Sequence, residues 1–446
     1  MHLMLMVLAA ALSLWHAYDL YRKALVTSFL LGLLAVYGVS FLFSYSQLTQ
    51  HYELMLIESA THVYFFGSLV LNLLILLLFK LAAPRLRLAR QIWSWRYEHC
   101  LHDHLRPAAL ALLASSALFL IFRNDLSLTG MQSRGEDGIF IALATFLCFL
   151  AFPGLVTAFV ESKLAFVGYA ACVLIIFSLS GSRAAVLTTV AFWLWRRNVT
   201  GERQRLRIAT VMLILGVGLV IHFLLRLVRG ISPAVLLQAF LAGDFSVLTE
   251  RMFGPFSEVD LSGGESSISS YFVFAVEAGG GEVYGFLRSV VRILLLFVPG
   301  SLAPSLKPED VTYSLWVEVL SRGRFDASAY YEAMNEAFIR GAYGSLHPML
   351  YGELFLSGRW AGLLIGLVFV SGLCLVIEVS LISMSHRASL YLIAPTAVGM
   401  LMVARGNSVI GFGYFFYLYV LVQVISFLHL SARRILVARR WEVSRI

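Results

Sequence analysis

The chain has 446 residues, 59% of them hydrophobic and only 13% charged, with a mean hydropathy of +0.82 and a formal charge of +8. Such a composition excludes a water-soluble domain, whose surface would leave too much apolar area wetted. A bilayer admits only helices or closed barrels, and the apolar runs are continuous rather than alternating, which excludes the barrel.

A crossing helix needs roughly 20 apolar residues. Taken in chain order, runs near 2–18, 24–44, 62–83, 107–122, 138–160, 164–180, 184–196, 208–225, 353–378, 389–404 and 410–430 predict about eleven spans (range about 10–14). The expected fold class is therefore all-α, a polytopic integral membrane protein. The first run lacks a basic leader and a small-residue cleavage site, and reads as a retained span. Of four cysteines, Cys148, Cys172 and Cys374 lie in apolar runs and Cys100 in a basic loop, so no disulfide framework is implied.

Lys and Arg in short loops set orientation. Three clusters stand out: Arg85 to Arg106, Arg196 to Arg207, and Arg433 to Arg445. With eleven spans and an outside N-terminus all three face the cytoplasm, together with Arg22, Lys23, Lys163, His386 and Arg387. Positive charge clustered in such loops, with the 226–352 segment net acidic, indicates a membrane face and no nucleic-acid partner. Asn198-Val199-Thr200 matches a glycosylation acceptor but falls on the cytoplasmic side of this count. The chain divides into residues 1–225 with spans 1 to 8, a large extracytoplasmic loop over 226–352, and residues 353–446 with spans 9 to 11 and a basic tail. Within the loop, Phe286 to Pro299 is apolar but interrupted by Arg288 and Arg292, as in an interfacial or re-entrant helix.

Several residues are candidates for chemistry. Ser180-Gly181-Ser182-Arg183 breaks two apolar runs on the outer side; Arg183 is either a snorkelling helix-end arginine or a phosphate ligand at a cavity mouth. Arg405-Gly406-Asn407 joins the last two spans on that side, where glycine lets backbone approach an anion. Pro348 marks a helix start, with His347 before it and Glu353 one to two turns inside. A carboxylate there is costly unless paired, with Arg359 for example, or facing an aqueous cavity. Gly358 and Gly362 have the spacing of close helix packing. The run Pro299 to Asp310 contributes Lys307. His99-Cys100-Leu101-His102-Asp103-His104 has metal-ligand side chains but reads better as a solvated polar loop. No nucleotide-binding or nucleotide-sugar motif is present in the sequence, so any activated donor must arrive through the membrane.

The order and sidedness of these motifs, over roughly residues 170 to 430, resembles the Wzy-type O-antigen and exopolysaccharide repeat-unit polymerases, relatives of the O-antigen ligases. The resemblance rests on Ser180 to Arg183, the long late outer loop, Pro299 to Pro308, Gly352-Glu353 ahead of Gly358 and Gly362, and Arg405-Gly406. It implies a glycosyltransferase of GT-C-like architecture in the bacterial inner membrane, its active site facing the periplasm. Donor and acceptor would be polyprenyl-pyrophosphate-linked oligosaccharides, with membrane lipid around the spans and a chain-length-regulating membrane protein as a further partner. On this reading Arg183, Arg405, Arg226, Arg229, Arg251, Arg340 and Lys307 hold the departing pyrophosphate, and Glu353 or His347 takes the acceptor proton. Neither cofactor nor metal is required. Two alternatives are an O-antigen ligase, which uses the same donor, and a polytopic transporter or flippase of lipid-linked sugars. The Gly352-Glu353 pattern favours polymerase over ligase; rim-placed charges and a lopsided chain argue against a transporter.

Overall fold

The structure, a computed structural model, describes residues 2–86, 91–93, 105–122, 144, 147–148, 151, 195, 198–199, 238–239, 241–244, 246, 265–279, 288–295, 298, 311, 315, 347–384 and 386–443. Among the described residues all regular structure is helical. In chain order the helices are α1 (His2–Arg22), α2 (Thr27–Phe43), α3 (Tyr45–His51), α4 (Leu54–Leu81), α5 (Ala83–Leu86), α6 (Leu105–Phe122), α7 (Glu265–Ala278), α8 (Arg288–Leu294), α9 (Met349–Leu356), α10 (Arg359–Ser383), α11 (His386–Ala404) and α12 (Ser408–Val443).

Leu3–Arg22, Leu54–Leu81, Arg359–Ser383 and Ser408–Leu428 are long and apolar enough to cross a bilayer, and Thr27–Phe43 and Ser389–Ala404 are shorter apolar helices. Leu73, Leu76 and Leu77 on α4 and Val368 on α10 are all more than half exposed. Lipid accepts such a surface and water does not. The chain is an all-α membrane protein.

α1 packs against α2 and α4, α4 against α10, and α11 against α12. The α11–α12 hairpin closes on glycine: a Cβ on Gly411 would lie 2.6 Å from the Gly399 carbonyl. Small residues let the backbones touch where lipid provides no hydrophobic drive. Several polar groups inside the bundle pair with one another. Between α1 and α4 the Asn72 amide nitrogen donates to Ser13 Oγ at 3.0 Å and to the Ser68 carbonyl at 2.8 Å, while its oxygen meets His16 Nδ1 at 2.8 Å.

One expectation changes. The apolar run expected to cross over 353–378 is broken: α9 ends at Leu356, and α10 starts only at Arg359. The break follows from Gly358 (φ +153°) and Arg359 (φ +52°), which turn the chain back on itself. A Cβ on Gly362 would come within 2.8 Å of the Leu354 carbonyl, so this glycine permits the tight α9–α10 crossing. Glu353 thus lies on a separate short helix rather than inside the span. The 226–352 segment has regular structure of its own among the described residues. It contains α7, whose residues Tyr271 to Val276 are buried and which packs on α2, α4 and α9.

Contacts sort by the ends of the helices. At one end Trp195 Nε1 donates to the Ala24 carbonyl at 3.3 Å, Asn198 Nδ2 donates to the Tyr21 carbonyl, Trp93 stacks edge-on against Trp195, and Glu378 accepts from Thr27. At the other end Tyr52 Oη donates to the Ser270 carbonyl, and α9 meets the α11–α12 turn. Tyr21 to Ala24, Trp93 and Trp195 to Asn198 thus lie together at one end of the helices.

Candidate functional site

Glu353 and Arg405 come together although they lie far apart in the chain. α9 opens at Met349, whose backbone N–H donates to the Arg405 carbonyl at 2.9 Å. Met349 takes φ +59°, a left-handed conformation that costs a non-glycine residue about 1–3 kcal/mol and persists only where surroundings over-determine it. Here the surroundings are Gly406 (φ +89°), whose missing Cβ is what lets the Met349 backbone lie against it. Asn407 then caps α12, its Oδ1 accepting from the Ile410 N–H at 3.2 Å.

One turn into α9, the Glu353 carboxylate is 1% exposed. Its Oε2 accepts the Ser408 N–H at 3.0 Å and its Oε1 the Ser408 hydroxyl at 2.6 Å. Ser408 is the first residue of α12, so the carboxylate sits on the positive end of that helix. The Ser357 hydroxyl donates to the Glu353 carbonyl at 3.1 Å, tying the end of α9 back to the same residue. The alternative in which Glu353 pairs with Arg359 is not what forms; Arg359 Nε donates instead to the Gly279 carbonyl at 2.8 Å, at the end of α7.

His347 and Arg405 are both half-buried at the mouth of this arrangement, directly before α9 and directly after α11. Mid-α9, Tyr351 is fully buried and packs edge-on against Tyr64 at 5.3 Å between ring centres. The site therefore joins a clamped carboxylate, a half-buried imidazole and a half-buried guanidinium. Arg183, Arg226, Arg229, Arg251, Lys307 and Arg340 lie outside the described residues, as does the His99 to His104 run. Among the described residues no group of three metal-ligating side chains occurs.

Sequence reasoning placed Asn407 in the Arg405 turn but missed its capping role, and it missed Ser408, although a small polar residue directly before an apolar run is a helix-start signal. It also missed Glu378, a carboxylate inside the α10 run. Glu378 is 1% exposed and accepts the Thr27 N–H at 2.6 Å and the Thr27 hydroxyl at 2.7 Å, at the start of α2. Two buried glutamates thus cap two helices, one at each end of α10. No family model matches the chain, and no curated protein and no solved structure is similar to it.

Proposed function

We propose that the chain is a polymerase of polyprenyl-pyrophosphate-linked oligosaccharide repeat units, with about eleven spans in a GT-C-like arrangement and its site on the periplasmic face of a bacterial inner membrane. The observation that carries the reading is the interlock of Pro348–Glu353 with Arg405–Ser408. That interlock brings Gly352-Glu353 and Arg405-Gly406, two motifs of the resemblance separated in sequence, close to one another, which supports the reading. An all-helical membrane body suits a donor that carries its own leaving group in lipid.

In the proposed reaction a sugar hydroxyl of the incoming unit attacks the anomeric carbon of the growing chain. The new glycosidic C–O bond forms as the bond to the pyrophosphate breaks, and polyprenyl pyrophosphate leaves with the electron pair. Arg405 supports the leaving group, its guanidinium suited to paired phosphate oxygens, and Arg183, Arg226, Arg229, Arg251, Arg340 and Lys307 are the further cations proposed for it. His347, half-buried, takes the acceptor proton. Glu353 already accepts two hydrogen bonds from Ser408, which favours a positioning role that fixes the Arg405 turn over the role of base.

The test is purified protein incubated with lipid-linked repeat units alone. Longer lipid-linked chains, with polyprenyl pyrophosphate released in step, support the proposal. Absence of elongation under conditions where the units still bind refutes it.

A further inference from the structure

We propose that the outward face of α12 is a homodimer interface, in which two copies of the chain meet across a two-fold axis along the membrane normal and pair their Gln423 side chains. This surface is separate from the Glu353–Arg405 arrangement and does not depend on the proposed polymerase activity.

Gln423 is exposed on α12, inside the span Ser408–Leu428. Its depth follows from its neighbours. Val420 and Leu421 precede it, Val424, Ile425, Phe427 and Leu428 follow it, and all six are exposed apolar side chains. Lipid-facing surface thus lies on both sides of the amide. Hydrocarbon offers neither donors nor acceptors, so a carboxamide there is costly until another polar group meets it. Gln423 makes no hydrogen bond among the described residues. The contrast is Asn72 of α4, an amide turned into the bundle and bonded to Ser13, His16 and the Ser68 carbonyl.

A second copy of the chain fits this amide. A carboxamide carries both donors and an acceptor, so two of them related by a two-fold satisfy each other reciprocally, as an isologous contact requires. All copies insert in one orientation, which puts Gln423 of every copy at the same depth. The surrounding side chains suit a helix pair. Phe416, Val420, Gln423 and Phe427 follow one another at spacings of four, three and four residues, the seam of two helices in a left-handed supercoil. A single polar residue in such a seam fixes its register. Val420 is 45% exposed and Phe427 69%. Both lie roughly opposite Gly411 at 3.6 residues per turn, and Gly411 is the point where α12 packs on Gly399 of α11. The seam therefore faces away from the bundle.

The test is subunit counting. The full chain, carrying one fluorophore per copy, is reconstituted in vesicles of phosphatidylethanolamine and phosphatidylglycerol over a series of protein-to-lipid ratios, and two-step photobleaching is scored. Two-step events should give way to single steps as lipid is added. Gln423→Leu, which keeps the face apolar, should move that transition to about tenfold higher protein density, the size of losing two hydrogen bonds between membrane helices. Phe427→Ala should move it in the same direction at an unaltered thermal midpoint, and it decides the matter if Gln423→Leu does not fold. Leu76→Ala, on the exposed face of α4, should leave the transition where it is. A chain that stays single at every density, a transition that Gln423→Leu does not move, an equal shift with Leu76→Ala, or a different membrane protein held through Gln423 in place of a second copy would each overturn the assignment.

Discussion

The Glu353 carboxylate accepts both donors of Ser408, the backbone N–H at 3.0 Å and the hydroxyl at 2.6 Å, across 55 residues of sequence. The pair fastens α9 to the start of α12 and so fixes the turn that carries Arg405. Glu353→Ala should cost about 2–4 kcal/mol, because it strands two buried donors at a helix end. Glu353→Gln should cost less, about 1–2 kcal/mol, since an amide can still accept the N–H and donate to the hydroxyl oxygen. Thermal unfolding in detergent checks the order; equal losses for the two variants would mean that the hydrogen bonds are not what the carboxylate contributes.

Gly406→Ala should be among the most damaging single-methyl additions in the chain. The new Cβ would press on the Met349 backbone, and φ +89° is itself unfavourable for alanine. A loss above about 2 kcal/mol is expected. Gly372→Ala is the matched control, because a Cβ there meets nothing within 4 Å. It should be neutral or stabilising by up to about 1 kcal/mol, from helix propensity. Denaturation midpoints of the two variants, measured side by side, check both; similar losses would contradict the packing described at Gly406.

Glu378 and Glu353 act at opposite ends of α10 on different helices. Their losses in Glu378→Gln and Glu353→Gln should therefore add in the double variant within about 0.5 kcal/mol. Strong non-additivity in unfolding measurements would indicate that the two caps share one cooperative element.

Asn72→Leu removes the amide that links His16, Ser13 and the Ser68 carbonyl. Hydrogen bonds between membrane helices average only about 0.6 kcal/mol, so a loss of about 1–2 kcal/mol is expected for the set. A much larger drop in the thermal midpoint would assign the network a role beyond joining α1 to α4.

The described apolar helices were legible because a bilayer reduces the problem to apolar length. α1, α2, α6 and α11 fall close to the runs read from hydropathy, and α4 extends further toward its N-terminus. The break before α10 was not read from the sequence: Glu353, Ser357 and Arg359 interrupt the run, but single polar residues in an apolar stretch do not by themselves tell a turn at Gly358 and Arg359 from a continuous helix. α7 escaped notice because 14 residues containing four serines match neither a span nor an amphipathic surface helix. Of the site, Arg405-Gly406 and Glu353 were visible as polar interruptions of apolar sequence. Their meeting was not, since it depends on a tertiary contact between α9 and the α11–α12 turn. The Ser408 contribution was hidden for the same reason: half of it is a backbone N–H, which every residue but proline carries.

The central claim is that the Arg405 turn supports a departing lipid pyrophosphate. The direct measurement is the rate of polyprenyl pyrophosphate release at saturating lipid-linked oligosaccharide, for the unaltered protein and for Arg405→Ala with an unchanged unfolding midpoint. The account predicts a fall of about 10²–10³-fold, the size of losing one oxyanion-stabilising contact. Release at the unaltered rate would contradict it.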